Sequence, residues 1–216
     1  MKVFKQEIDR LVDIDLFTKV KMSEWSSPTF CIPKKDGRIR IVTDYRKVNR
    51  TVKRQAVPLP NIMDTIINLG SFKYAACIDL NMGYYAMEMD EAAKKICTIV
   101  LPWGFHQYNM LPMGLIISTD VFQARMNDLV GDLPYVIVFW DDILIIGNGT
   151  FDEHLEQVFT ILKRLLEAGM QVNPLKSFWF QETVDYLRYR ISREGIKPQE
   201  RKIQKMLALN APKSKT

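Results

Sequence analysis

The sequence predicts an α+β fold in which an antiparallel sheet packs on helices. Three stretches carry that prediction. Tyr135–Gly147, YVIVFWDDILIIG, sets strand-length runs of β-branched and aromatic residues on either side of Asp141 and Asp142, the pattern of a hairpin with both aspartates at its tip. Asp36-Gly37 is a hairpin signal between two further runs. Phe4, Ile8, Leu11, Val12 and Leu16 recur at helical spacing, as do the apolar residues behind Thr150.

From the N-terminus, that spacing predicts an amphipathic helix over residues 2–16, and Trp25–Pro28 breaks the pattern. Thr29–Pro33 and Ile39–Thr43 read as strands joined by the Lys34–Gly37 turn. Pro58 and Pro60 mark an extended linker, after which Asn61 caps a helix running to Leu69 with Gly70 at its end. Phe72–Leu80 reads as a buried strand with Asp79 at its end, and further strands are expected near 86–89, 96–100 and 105–109. Leu111–Gly114 is a loop, and Ser118 or Thr119 caps a helix through Leu129. Thr150-x-x-Glu153 is a capping box. The helix behind it is expected to bury Phe151, Leu155, Val158, Phe159, Leu162, Leu165 and Leu166 before Gly169 stops it. Strands near 177–180 and 184–191, a turn at Glu194-Gly195 and a helical tail after Pro198 follow.

A chain of 216 residues with 47% hydrophobic content can bury a substantial core. No apolar run approaches the roughly 18 residues of a membrane span, and no basic-then-apolar leader opens the sequence, so no membrane partner is expected. Cys31, Cys77 and Cys97 lie in apolar runs without CxxC spacing and read as buried free thiols of a reducing, intracellular compartment, cytoplasm or nucleus. His106 and His154 are isolated and read as surface or structural residues. The net charge of +5 conceals a sharper pattern. Residues 34–54 hold nine Lys/Arg against two Asp/Glu, residues 188–216 hold the same, and the remainder is acidic. Basic flanks around an acidic centre suit a polyanion held at its sides and a metal held in the middle; two solvated charged surfaces are the competing explanation.

Two adjacent carboxylates where buried strands end repel each other unless a cation sits between them. A divalent ion removes that repulsion. Asp-Asp also lacks the glycine that two-residue hairpin turns favour, so the pair asks for a purpose. An ordinary exposed acidic turn is the alternative. Asp79 ends its own apolar strand, and if that strand pairs beside the hairpin, three carboxylates meet at one sheet edge. Two Mg²⁺ ions, with Mn²⁺ as a substitute, need such a hard-oxygen set for in-line phosphoryl or nucleotidyl transfer. Taken alone, Asp79 reads equally well as an Asx turn closing a strand.

Five ordered blocks extend the pattern: SEWSSPTFCIPKKDGRIRIVTDYRKVN (23–49), IDLNMGYYAMEMD (78–90), LPMGL (111–115), FWDDILI (139–145) and YLRYRISREGIKP (186–198). In order and spacing they resemble the fingers and palm of a gypsy-type retrotransposon reverse transcriptase, from residue 2 to the end. The resemblance implies a right-hand polymerase architecture with the thumb essentially absent. Fingers would span 1–70, palm 71–93 and 119–198, a fingers–palm connection 94–118, and the start of a thumb or linker 199–216. It implies an RNA-directed DNA polymerase that takes deoxynucleoside triphosphates (dNTPs) and a primer on an RNA or DNA template, within a polyprotein that also carries ribonuclease H and integrase segments. Asp79, Asp141 and Asp142 match the catalytic metal-binding triad. Lys34 or Lys35 and Arg40 match the triphosphate grip, a role the chemistry of Lys and Arg on a hairpin also suits. Tyr84 matches the aromatic gate against a ribose 2′-hydroxyl, and Met113-Gly114 the loop beside the nascent base pair. Lys176 matches the lysine that protonates the leaving pyrophosphate, and Leu187, Arg188 and Tyr189 fall on the primer grip.

The chain departs from that pattern at several positions. Trp140 replaces a medium aliphatic residue or Met before the aspartate pair, and Phe139 replaces a tyrosine. Arg188 replaces the primer-grip glycine, where the backbone should approach the primer closely. Thr119 replaces a proline. Trp140, Arg188 and the absent thumb favour one rival, a catalytically impaired, retroelement-derived relic that still binds nucleic acid. A second, from outside the family, is a metal-dependent nuclease or phosphotransfer domain on the same carboxylates, against which the five ordered blocks speak.

Overall fold

The structure, a computed structural model, describes residues 1–34, 37–54, 57, 72–200, 204, 207 and 208. The expected linker at Pro58 and Pro60, the helix Asn61–Leu69 and nearly all of the tail after residue 200 lie outside the described residues, as do Lys35 and Asp36. The chain forms two compact units, Met1–Val57 with Met82–Arg125, and Pro58–Asn81 with Met126–Thr216.

The first unit opens with a helix, Lys2–Asp13, that buries Phe4, Ile8 and Leu11. It ends before the expected residue 16, because Asp15 turns left-handed at φ 58° and drops Leu16 into the core beyond the last helical turn. Strand β1 (Phe17–Val20) follows, then β2 (Ser27–Pro33) and β3 (Ile39–Thr43), with β4 (Tyr74–Asn81) belonging to the second unit and β5 (Thr98–Leu101) and β6 (Gly104–Tyr108) returning to the first. Their sheet runs β1-β6-β5-β2-β3 and is antiparallel except for the short β2–β5 pairing. No strand forms over 86–89: a 3₁₀ turn, Gly83–Ala86, occupies its start, and Glu88 makes a single bridge to Met110. Nor does a strand begin at 96. Asp90 accepts a hydrogen bond from the Ala93 amide at 2.7 Å and caps a helix, Glu91–Ile96, which delays β5 to Thr98. Phe4, Ile8, Phe17, Tyr45, Ile99 and Tyr108 share this unit's core.

In the second unit β7 (Val136–Phe139), β8 (Asp142–Gly147), β9 (Gln171–Val172) and β10 (Phe178–Gln181) build on β4. The order is β10-β4-β8-β7, with β9 pairing the end of β4. The helix Phe151–Glu167 carries the expected capping box, Thr150 with Glu153. Its buried face is narrower than the apolar pattern suggested: His154, Val158, Ile161 and Leu165 go inside, whereas Phe159 is 62% and Leu166 75% exposed. The apolar residues cover a wider arc than one helix can press onto β4 and β8, so the edges of the arc stay outside. Phe151 is likewise exposed, against a ring contact with Tyr74.

The expected strand over 184–191 is two strands, β11 (Thr183–Tyr186) and β12 (Tyr189–Ser192), and β13 (Gly195–Pro198) completes a meander. Leu187 and Arg188 reverse the chain, both at positive φ, 45° and 76°. The three cysteines are free; Cys97 is buried, but Cys31 and Cys77 are only partly so. Both histidines are buried. No helix among the described residues is long and apolar enough to cross a membrane.

Candidate active site

Strand β4 pairs with β8 from Tyr74↔Gly147 to Asp79↔Asp142, so Asp79 and Asp142 stand directly opposite each other on one face. The Asp79 backbone amide and carbonyl are engaged on the other side of β4, with Ser177 and Asn173. Asp79 and Asp142 are therefore a pair without mutual backbone hydrogen bonds, the type in which Cα atoms come to about 4.5 Å and side chains are closest.

Asp142 is the first residue of β8 and closes the hairpin opposite Phe139. The tip is therefore Trp140-Asp141, not Asp141-Asp142. Trp140 takes the first turn position at φ 55°, a conformation uncommon for a bulky side chain, and is 37% exposed beside the Phe139 ring. This shift by one residue puts Asp142 into the sheet, half-buried, and leaves Asp141 exposed at the tip.

Burial raises the pKa of Asp142, and the negative charges of Asp141 and Asp79 raise it further. That is the field a divalent cation would relieve. Cys77, two residues before Asp79, is pushed up to about 12 by burial and by Asp142 and Asp79, so it stays a neutral thiol and offers no thiolate to a softer metal. The donor set thus fits a hard cation held by oxygen. Among the described residues no group of three or more His, Cys, Asp or Glu already stands close enough to hold an ion, so the carboxylates are gathered but not closed into a ligand set.

Lys176 reaches this cluster, its Nζ 3.5 Å from Asp79 Oδ1. Below it, on the face of β4 and β8 that carries the aspartates, Tyr186, Val184 and Ile191 of the meander pack with Leu144 and Cys77. The buried Tyr186 hydroxyl donates to the Asp142 carbonyl at 3.3 Å. The Leu187–Tyr189 turn is thereby attached to the same sheet as the carboxylates.

The remaining expected residues lie in the first unit. Lys34 is exposed at the end of the β2–β3 hairpin, its amide bonded to the Arg38 carbonyl, and Arg40 points outward on β3 opposite Ile32. Lys35 is outside the described residues. Tyr84 stacks on Phe122 with ring centroids 4.6 Å apart. Met113 and Gly114 are exposed, and the positive φ of Gly114, 101°, favours glycine there. Sequence reasoning missed Asn49, which fastens that loop: its amide donates to the Gly114 carbonyl at 3.0 Å and its oxygen accepts from the Ile116 amide at 2.9 Å. It also missed Asn173 and Ser177: the strand expected near 177–180 begins at Phe178, and Asn173-Pro174, a turn-favouring dipeptide, is the sequence signal that could have placed Ser177 in the turn before it.

Residues 32–191 match the family described as "Reverse transcriptase (RNA-dependent DNA polymerase)". The Retrovirus-related Pol polyprotein from transposon gypsy of Drosophila melanogaster is 30% identical over 192 residues, which is 84% of this chain and 18% of that one. The Transposon Tf2-7 polyprotein of Schizosaccharomyces pombe is 28% identical over 190 residues, 87% of this chain and 14% of its own. The chain thus spans less than a fifth of these relatives. Among solved structures, the foamy viral protease-reverse transcriptase in complex with double-stranded DNA superposes with a TM-score of 0.90 at 30% identity, covering 98% of this chain and 37% of that one. The same enzyme with an RNA/DNA hybrid gives a TM-score of 0.87, covering 97% and 28%. With an α+β fingers-and-palm fold and the matching sequence blocks in place, the chain belongs to the reverse transcriptase family, of the gypsy type found in LTR retrotransposon Pol polyproteins.

Proposed function

We propose that the chain extends a primer with dNTPs on an RNA or DNA template, as the fingers and palm of a longer Pol polyprotein working inside the cell. The observation that carries this reading is the pairing of Asp79 opposite Asp142, with Asp141 next to it at the hairpin tip and Lys176 beside Asp79. Asp79, Asp141 and Asp142 would hold two Mg²⁺ ions, or Mn²⁺, which bound there acidify the primer 3′-hydroxyl and neutralise charge on the triphosphate. Lys34, Lys35 and Arg40 bind the triphosphate, and Tyr84 excludes a ribose. Met113 and Gly114 lie along the nascent pair, and Leu187, Arg188 and Tyr189 hold the primer end. Lys176 protonates the leaving pyrophosphate, its ammonium held near by Asp79.

The test is primer extension on homopolymer RNA with Mg²⁺ and with Mn²⁺. Asp79→Asn and Asp141→Asn are expected to lower extension on the order of 10³-fold or more while duplex binding stays within a few-fold. Full activity in Asp141→Asn would overturn the reading. The departures at Trp140 and Arg188, a bulky indole at the hairpin tip and a side chain in place of glycine in the β11–β12 turn, support a second reading, the impaired nucleic-acid-binding relic. It predicts salt-sensitive binding with no extension.

A further inference from the structure

Strand β4 changes partner at the catalytic residue. On the edge away from β8 it pairs with β10 at Ala75 and Cys77, and with β9 at Leu80 and Asn81. Asp79 falls in the gap between them, where its backbone groups face no strand. The turn between β9 and β10 fills that gap with a closed set of hydrogen bonds. The Asn173 amide donates to the Asp79 carbonyl at 2.8 Å, the Asp79 amide donates to Ser177 Oγ at 3.1 Å, and the Ser177 hydroxyl donates to the Asn173 carbonyl at 2.8 Å. Ser177 is 8% exposed, so water does not readily replace its hydroxyl. The amides of Lys176 and Ser177 also bond the Asn173 carbonyl, at 3.2 and 3.0 Å. One turn therefore fixes the backbone of Asp79 and the root of Lys176 together.

We infer that Ser177 is a positioning residue for the metal-holding carboxylate of Asp79, acting through the Asp79 backbone and coupling it to Lys176. The inference rests on the assignment of Asp79 as a metal ligand. A side-chain hydroxyl, rather than a neighbouring strand, completes the ladder at this point, so a single substitution opens it without removing a strand. The Asp79 amide would then lack its acceptor, and the carboxylate would lose its fixed place opposite Asp142. Displacements of ~1 Å at reacting groups typically cost on the order of 10²-fold in rate.

The experiment measures Mn²⁺ binding to the full chain by electron paramagnetic resonance, without nucleic acid, for the parent, Ser177→Ala, Ser177→Thr and Asp79→Asn, each with its thermal melt. Primer extension is measured alongside. Ser177→Ala is expected to weaken Mn²⁺ binding about five- to tenfold, approaching Asp79→Asn, while duplex binding stays near the parent's and the melt falls by several degrees but stays above the assay temperature. Ser177→Thr, which keeps the hydroxyl, should bind Mn²⁺ within about twofold of the parent. Where extension is measurable, Ser177→Ala lowers kcat and raises the Mn²⁺ requirement, with KM for the primer–template unchanged. Parent-like Mn²⁺ binding in Ser177→Ala, a loss accounted for by unfolding at the assay temperature, a loss equally deep in Ser177→Thr, or no Mn²⁺ binding by the parent overturns the inference. Weakened binding in Ser177→Ala with no extension by any form would sustain it while the polymerase reading fails.

Discussion

Arg188→Gly should make this protein more stable. Leu187 and Arg188 are the two central residues of the β11–β12 turn, closed by Tyr186 opposite Tyr189, and both have positive φ. That sign pattern belongs to type I′ turns, where glycine is favoured at the second position. An L-residue held left-handed costs roughly 1–2 kcal/mol, and glycine at 188 removes that cost. Glycine also gains freedom in the unfolded chain, which offsets about 0.4–1 kcal/mol of the benefit. The Arg188 side chain is exposed, and its carbonyl, which accepts from the Gln199 amide at 3.3 Å, survives the change. The net expectation is about 0.5–1 kcal/mol of stabilisation, a rise of about 1–4 °C in Tm for a chain of this size. Urea unfolding with an unchanged m-value measures it. The neighbouring β12–β13 turn supplies the control. Arg193 lies there outside the left-handed region, so Arg193→Gly should destabilise by about 0.4–1 kcal/mol. If Arg188→Gly destabilises as much as Arg193→Gly, the strain argument fails. Loss of the Arg188 charge should also reduce the salt slope of nucleic-acid binding by about one.

Asp142→Asn should stabilise the fold at neutral pH. Burial and the charges of Asp141 and Asp79 raise the folded pKa of Asp142, so the stability it contributes is full below the ordinary carboxylate range and is lost as pH rises through the raised value. The mutant's advantage in Tm at pH 7 should therefore fade as pH falls to about 3.5, below both carboxyl values; a pH-independent difference would refute it. Tyr84→Ala loses the stack on Phe122 and should cost about 1–3 kcal/mol in chemical denaturation, while admitting ribonucleotides in primer extension. Equal ribonucleotide incorporation by mutant and parent would remove Tyr84 from the site.

Local patterns were legible in the sequence wherever neighbours along the chain supply the energy. The Thr150–Glu153 box and the helix it opens depend on groups a few residues apart, as do the central hairpin and the β2–β3 pairing. The carboxylates were visible too, because each lies close to one end of an apolar strand, although β4 runs two residues past Asp79 to Asn81 and Asp142 begins β8 instead of ending β7. Register was not visible. Whether the hairpin turns on Asp141-Asp142 or on Trp140-Asp141 depends on which residues β8 sets against β4. A slip of one residue sends every side chain to the opposite face. Burial on the long helix was likewise decided by what it packs against, since Phe159 and Leu166 satisfy the helical pattern yet stay exposed. The turn at Leu187-Arg188 has no glycine to announce it, and pairing of β11 with β12 imposes the positive φ that those side chains resist. Ser177 is the furthest case. Its hydroxyl meets the amide of Asp79 across 98 positions of sequence, a partnership that exists only once β4 has lost its neighbour at that residue.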